Sequence, residues 1–243
     1  MGIVVQKFGG TSVQSTEKLF EICKHITKEY DSGNQVIVVV SAQGKTTDNL
    51  IKEAKEINEN LDKRELDVLI SVGEQITIAK LAMCLKKLGY DAISLTGWQV
   101  SVKTNDTYGN ADILKINLDR ISKELNSNKI VIVAGFQGIN ETTNDITTLG
   151  RGGSDTTAVA IAAAIKADIC DIYKDVDGIY NVDPKTNGNA FKYGKITYDE
   201  MLKLSNNAAK VLHNKSIEIA KRFKVKIHVK SIYNLNSSGT IIC

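Results

Sequence analysis

Ten consecutive residues, Thr148-Leu149-Gly150-Arg151-Gly152-Gly153-Ser154-Asp155-Thr156-Thr157, combine three glycines, a guanidinium, a carboxylate and a row of hydroxyls. The glycines let the backbone turn sharply and lie against another molecule with no Cβ in the way. Ser154 and Asp155 offer N-caps, and the Ala-rich run from Ala158 to Ile165 behind them is a strong helix former. A glycine loop leading into a helix start presents N–H groups at the positive end of the helix dipole, which suits phosphate. Arg151 adds a planar fork for a carboxylate or phosphate, and Asp155 adds one acid at the same place. A plain glycine turn before a capped, buried helix is the simpler alternative. The density of polar groups, and a second glycine loop near the N-terminus, favour a binding role.

That second loop follows Ile3-Val4-Val5-Gln6-Lys7-Phe8, an apolar run that stops at Gly9-Gly10 and reads as a buried strand entering a turn. Thr11 and Ser12 are expected to cap a helix whose apolar face is Leu19, Ile22, Cys23 and Ile26. Strand, glycine turn and capped helix repeat the phosphate-cradling order. It is not a Walker loop, because Lys7 precedes the glycines instead of following them. Lys7, near the strand's carboxyl end, could meet a charged ligand, although a lysine there is more often simply solvated. Gly73-Glu74 lies in helical text, where a glycine costs about 1 kcal/mol against alanine. This suggests close packing or a break and turns Glu74 toward a site; alone, Glu74 would read as a surface carboxylate.

These groups need a frame. Val36-Ile37-Val38-Val39-Val40 is apolar throughout, as a parallel central strand covered on both faces would be, and it runs into the polar loop from Ser41 to Asp48. Helices are expected from Asn49 to about Asn60, from Glu65 to Leu88, and from the end of the loop Thr104 to Asn110 up to about Leu125. Strands are expected at Ala92 to Leu95, Ile130 to Phe136 and Ala167 to Tyr173. The chain closes with helices at Tyr198 to Leu204 and Lys210 to Phe223, then strands at Val225 to Val229 and Thr240 to Ile242. This alternation predicts an α/β fold, a three-layer αβα sandwich with a mainly parallel central sheet and ligand-binding loops at the carboxyl ends of its strands. Those ends carry lysines, glycines, one arginine and carboxylates, with no histidine cluster and no Ser-His-Asp set. The inventory suits a phosphate-bearing ligand and catalysis by positioning and charge neutralisation.

At 243 residues, with 42% hydrophobic and 24% charged residues, the chain has ample core and sits at the upper end for one domain. Its net charge of +3 is spread rather than striped, which argues against nucleic acid as a partner. Cys23, Cys84, Cys170 and Cys243 form no CxxC pair and read as thiols of a reducing compartment. No signal peptide is visible, and no apolar run reaches the roughly 20 residues of a membrane span, so the expected location is the cytoplasm.

Lys7-Phe8-Gly9-Gly10-Thr11-Ser12, Val40-Ser41-Ala42 with Thr46-Thr47-Asp48, Gly73-Glu74-Gln75 and Leu95-Thr96-Gly97-Trp98 resemble the aspartokinases of the amino-acid kinase superfamily. So do Gly135-Phe136-Gln137-Gly138, Thr147 through Thr157, Asp175-Val176-Asp177-Gly178-Ile179-Tyr180 and Lys210-Val211-Leu212-His213. The motifs run in order from residue 3 to about 240, and it is their common register that makes the resemblance specific. It implies the amino-acid kinase fold and one catalytic domain over 1–243. An acceptor-binding part would cover about 1–145 and a nucleotide-binding part about 146–243.

The implied reaction is phosphorylation of the side-chain carboxylate of L-aspartate by ATP with Mg²⁺. It would give 4-phospho-L-aspartate and ADP, the first step toward lysine, threonine and methionine. By motif, Lys7 stabilises the transferring phosphoryl group and Asp155 orders the lysines around it. Gly9, Gly10, Gly152, Gly153 and Ser154 would hold phosphate oxygens. Arg151 would grip the substrate α-carboxylate and Glu74 its ammonium, with Ser41 and Thr47 lining the same pocket. Lys174, Asp175, Tyr180, Lys185 and Lys210 fall where the family holds the nucleotide. No metal ligand is assigned, since Mg²⁺ commonly sits on ATP oxygens and water.

Four positions depart from the family pattern, all on the nucleotide side. Lys174 stands for the usual Thr or Ser, Lys185 for Arg, Ala208 for a glycine, and Asn214-Lys215 for Pro-Arg. The regulatory ACT domains that usually follow are absent from this sequence, so feedback inhibition is not expected of this chain alone. A homodimer and a separate regulatory chain are both compatible with the resemblance. The alternatives are a paralogue acting on another small amino acid or carboxylate, and a non-catalytic sensor. Retention of Lys7 together with Asp155 favours an enzyme.

Overall fold

The computed structural model describes residues 2–182, 184, 187–207, 211–234, 236 and 238–243. β1 (Ile3–Phe8) leads through a 3₁₀ turn at Gly10–Val13 to α1 (Thr16–Asp31), β2 (Gln35–Val40), α2 (Thr46–Ile57), α3 (Lys63–Ile70) and α4 (Val72–Lys87). Next come β3 (Ala92–Leu95), β4 (Val102–Thr104), β5 (Ile113–Ile116), α5 (Asp119–Asn126), β6 (Ile130–Ala134), β7 (Gln137–Asn140) and β8 (Ile146–Thr148). The remaining elements are α6 (Gly153–Ile165), β9 (Ile169–Lys174), β10 (Ile179–Tyr180), β11 (Lys192–Tyr193), β12 (Lys195–Ile196), α7 (Tyr198–Asn207), α8 (Asn214–Phe223), β13 (Ile227–Ser231) and β14 (Thr240–Ile242).

Eight strands form one sheet in the order β12-β14-β13-β9-β1-β2-β6-β3, parallel at every pair except β13–β14. The all-apolar text of β2 follows from its place near the middle. Ile37 and Val39 enter one core with Ala158 and Ile161 of α6, Ile217 of α8 and Ile121 of α5. Val36, Val38 and Val40 enter the other with Leu19 and Ile22 of α1 and Ile78, Leu81 and Leu85 of α4. Helices thus cover both faces, giving the three expected layers. Each fully buried Val or Ile contributes about 1.5–3 kcal/mol of transfer free energy.

Several local expectations differ from the structure. Thr11 and Ser12 lie in the 3₁₀ turn, and Ser15 caps α1, its hydroxyl accepting from the Lys18 amide at 3.3 Å. Gly152, at φ +74°, is the N-cap of α6; Ser154 and Asp155 fall inside its first turn. The stretch expected as one helix from Glu65 to Leu88 breaks at Ser71 into α3 and α4. Ile113–Ile116, expected to be helical, is a strand paired with β4 in a second sheet ordered β5-β4-β7-β8. That pairing, with the short strand on the other side of the loop after Thr104, is not revealed by the helical-looking spacing of Ile113 and Ile116.

The span Lys63–Lys87 has the length and mean hydropathy of a membrane-crossing helix, but 56% of its most apolar window is buried within the fold. It serves as a core element, with Ile78, Leu81 and Leu85 packed under the sheet. All four cysteines are free thiols; burial pushes Cys23 up to about 12.

Candidate active site

The carboxyl ends of β9, β1, β2 and β6 lie side by side, and the chain leaves each of them in a polar or glycine-rich loop. Lys7 follows Val5 on the face of β1 that meets α6, whereas Phe8 turns to the opposite core, where it stacks on Tyr173 at 4.6 Å between centroids. In register Lys7 pairs with Ile172, so Lys174 lies two positions further along the neighbouring strand. From α6 above them, Asp155 reaches both. Its Oδ1 lies 2.6 Å from Lys7 Nζ and its Oδ2 2.9 Å from Lys174 Nζ.

Lys7 is 5% exposed and Asp155 4%. Burial pulls the Lys7 ammonium below its ordinary value, with the Asp155 charge opposing that pull. For Asp155, burial works against ionisation, but the Lys7 and Lys174 charges overcome it and hold the carboxyl at about 2. The triad therefore carries two cations against one fixed anion. Its excess positive charge faces an open cavity, an arrangement suited to a phosphoryl group.

Two adjoining cavities meet at this triad. The first, about 360 Å³, is lined by Lys7, Gly10, Ser41, Thr47, Glu74, Ser154 and neighbouring loop residues. The second, about 500 Å³, is lined by Ser205, Val211, Leu212, His213 and Asn214. Arg151, Gly152, Asp155 and Lys174 belong to both. Arg151 is exposed and makes no ion pair among the described residues, so its guanidinium is available to a ligand. Gly152 has no room for a side chain, since a Cβ there would lie 2.5 Å from the Cβ of His213.

Glu74 is far from the surface carboxylate its sequence alone suggests: it is 3% exposed. The break at Ser71 and the close packing of Gly73 on Ala42, which a Cβ would meet at 2.7 Å, drive the start of α4 against the loop after β2. Glu74 Oε1 accepts from the Ala42 amide at 2.9 Å, and Oε2 is buried without a partner among the described residues. Burial raises its carboxyl to about 7, against the pull of the Ala42 amide and the Lys7 charge. An acceptor oxygen left open in a cavity suits a cationic donor such as an ammonium.

Of the other residues singled out from sequence, Gly10 and Gly153 line the smaller cavity and Gly9 lies beside Lys7. Asp175 is exposed, and the Tyr180 hydroxyl donates to Asp177 at 2.7 Å; neither lines the two cavities. Lys185, Ala208 and Lys210 lie outside the described residues. Gly44 and Phe136 in the smaller cavity and His213 in the larger carry no site role in the sequence reading, and Asn214, there a departure on the nucleotide side, lines the larger cavity. Phe136, a non-glycine residue at φ +69°, carries no sequence signal of that conformation.

As to metals, both oxygens of Asp155 are held by lysines, and no cluster of three or more metal-binding side chains occurs among the described residues.

Residues 2–231 match the amino acid kinase family. The chain is 53% identical over 242 residues to an aspartokinase of Bacillus sp. (strain MGA3), covering all of this chain and 58% of that relative. It thus spans less than two thirds of the length of the curated relatives it matches. Among solved structures, aspartate kinase from Synechocystis superposes with a TM-score of 0.87 at 44% identity, over 99% of this chain and 39% of that one. E. coli aspartokinase III in complex with aspartate and ADP gives a TM-score of 0.89 at 27% identity, over 99% of this chain and 64% of that one.

Proposed function

This chain belongs to the amino acid kinase family, and on that premise we propose that it transfers the γ-phosphoryl group of ATP to the side-chain carboxylate of L-aspartate. The observation that carries this reading is the Lys7–Asp155–Lys174 triad at the junction of two cavities, one of which also holds Glu74 and Arg151. The acceptor occupies the smaller cavity, its ammonium on the open oxygen of Glu74 and its α-carboxylate on Arg151. ATP occupies the larger one, built wholly from residue 151 onward, with its phosphates on the Gly152 loop. That the complexed relative carries aspartate and ADP supports the same pairing of ligands.

In the reaction, an aspartate carboxylate oxygen forms the new bond to the γ-phosphorus as the bond to the β,γ-bridging oxygen breaks, leaving ADP. The nucleophile is already ionised, so no proton needs removing. The difficulty is bringing two anions together, and Lys7 and Lys174 answer it by neutralising charge on the equatorial and leaving oxygens. Asp155 holds both ammonium groups at fixed positions without touching substrate. Mg²⁺, when bound with the nucleotide, adds charge neutralisation on the phosphates. The acyl phosphate formed is a mixed anhydride that a reductase can consume, consistent with entry into lysine, threonine and methionine synthesis.

The test is incubation with ATP, Mg²⁺ and L-aspartate in the presence of hydroxylamine, which traps an acyl phosphate as its hydroxamate. Aspartyl hydroxamate is the expected product. A folded protein that binds ATP and yields none points to a different acceptor, and one that binds neither ligand overturns the kinase reading.

A further inference from the structure

Asp67 lies in α3, is wholly buried and belongs to neither cavity. Its Oδ2 accepts from the Gly109 amide at 2.9 Å and the Thr148 amide at 2.8 Å, and its Oδ1 accepts from the Thr148 hydroxyl at 2.7 Å. Burial lifts its carboxyl above the ordinary range, and those three hydrogen bonds pull it back. An ionised carboxylate is acceptor-only, which matches a site where two backbone amides can only donate.

The two segments it holds stand on either side of Gly150. Thr148 is the last residue of β8 before the glycine loop, and its carbonyl accepts from the Ala111 amide at 2.9 Å. On the other side, a Cβ on Gly150 would come within 2.8 Å of Asn110 Oδ1 and 3.1 Å of the Gly109 carbonyl. Gly150 at φ +71° passes through this gap, and Arg151 follows at once. α3 runs within two residues into α4, whose first turn carries Glu74. One helical segment therefore presents Glu74 directly and, through Asp67, fixes the path of the loop that carries Arg151.

We propose that Asp67 is a positioning residue that sets Arg151 relative to Glu74, and so the fit of the acceptor between its carboxylate and ammonium contacts. The proposal rests on the functional reading above. Asp67→Asn keeps the shape but replaces a charged acceptor with a neutral amide oxygen, which weakens the grip on the Gly109 and Thr148 amides and loosens the loop on one side of Gly150.

The expected result is a rise of roughly tenfold or more in the KM for aspartate, with the KM for ATP unchanged within about twofold. In an Arg151→Ala background the same substitution should add little, because the residue it acts through is gone. Thr148→Val removes only the hydroxyl bond and should give the same selective effect, smaller, should Asp67→Asn fail to fold. Equal losses for both substrates, or full additivity with Arg151→Ala, would reduce Asp67 to a structural clamp and overturn the proposal. Hydroxamate formation by the wild type is the control: its absence removes the functional reading, and this proposal with it, whereas its presence with an unselective Asp67→Asn removes this proposal alone.

Discussion

Lys7 and Lys174 stand on adjacent parallel strands, two register positions apart, and are joined through the two oxygens of Asp155 at 2.6 and 2.9 Å. Their spacing is set by backbone hydrogen bonding in the sheet rather than by a loop. Lys7→Met should cut kcat roughly 10²–10³-fold, since one preorganised cation is lost from the phosphoryl path. The fold should survive, because Asp155 keeps Lys174. Asp155→Asn should be the less stable variant, by roughly 3–5 kcal/mol, because it leaves the buried Lys7 ammonium and the half-buried Lys174 ammonium without a counter-charge. Urea denaturation of the two variants beside the wild type checks the order; a Lys7→Met protein less stable than Asp155→Asn would contradict it.

The pH dependence of acceptor binding should follow Glu74. Its ionised form is the one that holds an ammonium, and its carboxyl titrates at about 7. The apparent affinity for aspartate should therefore fall as pH drops through about 7, with ATP affinity following a different profile. In Glu74→Gln that limb should vanish and aspartate binding should be weak at every pH. Stability should run the other way. Folded Glu74 keeps its proton up to about 7 while the unfolded group loses it near 4.5, so between these values the folded state binds more protons and this group's contribution falls as pH rises. Denaturation of wild type and Glu74→Gln at pH 5 and pH 8 reads this directly: the variant's relative advantage should grow at the higher pH.

Gly152→Ala should damage both cavities at once. The backbone there is left-handed and the added carbon would strike the Cβ of His213. A penalty of about 1–2 kcal/mol for the conformation alone is expected, with the clash in addition. Weaker ATP binding by calorimetry should accompany the lower melting temperature.

Ile132→Ala should cost roughly 2–5 kcal/mol without changing ligand affinity at a temperature where the protein stays folded. Ile132 is fully buried between β6 and the helices beneath it and touches neither cavity. A selective change in KM would mean that the core and the site are coupled more closely than their separation implies.

Much of this was legible in the residues. The unbroken apolar text of β2 marks a strand covered on both faces, and the glycine loops beside Lys7 and Arg151 fall at the carboxyl ends of strands, where ligands bind. What escaped depends on local backbone geometry that residue type does not fix, or on distant partners. Ser15 could not be preferred to Thr11 or Ser12 as a cap before the 3₁₀ turn was seen. Ser154 and Asp155 have the composition of caps, yet a glycine takes that place and frees Asp155 for the lysines. Burial of Glu74 follows from a packing contact between Gly73 and Ala42, more than thirty residues away in sequence. Asp67 looks like any helix acid, and only the fold brings Gly109 and Thr148 to it.

The wall formed by Arg151, Gly152, Asp155 and Lys174 is common to both cavities. Ligands that share a wall cannot bind independently, and the linkage between them is reciprocal: whatever factor a nucleotide imposes on acceptor affinity, the acceptor imposes on the nucleotide. Two ground-state anions draw on the same cations and so compete for them. On the proposed reaction, the antagonism would ease as the transferring group comes to lie between them, so that occupancy of both cavities is best tolerated in the geometry of transfer itself.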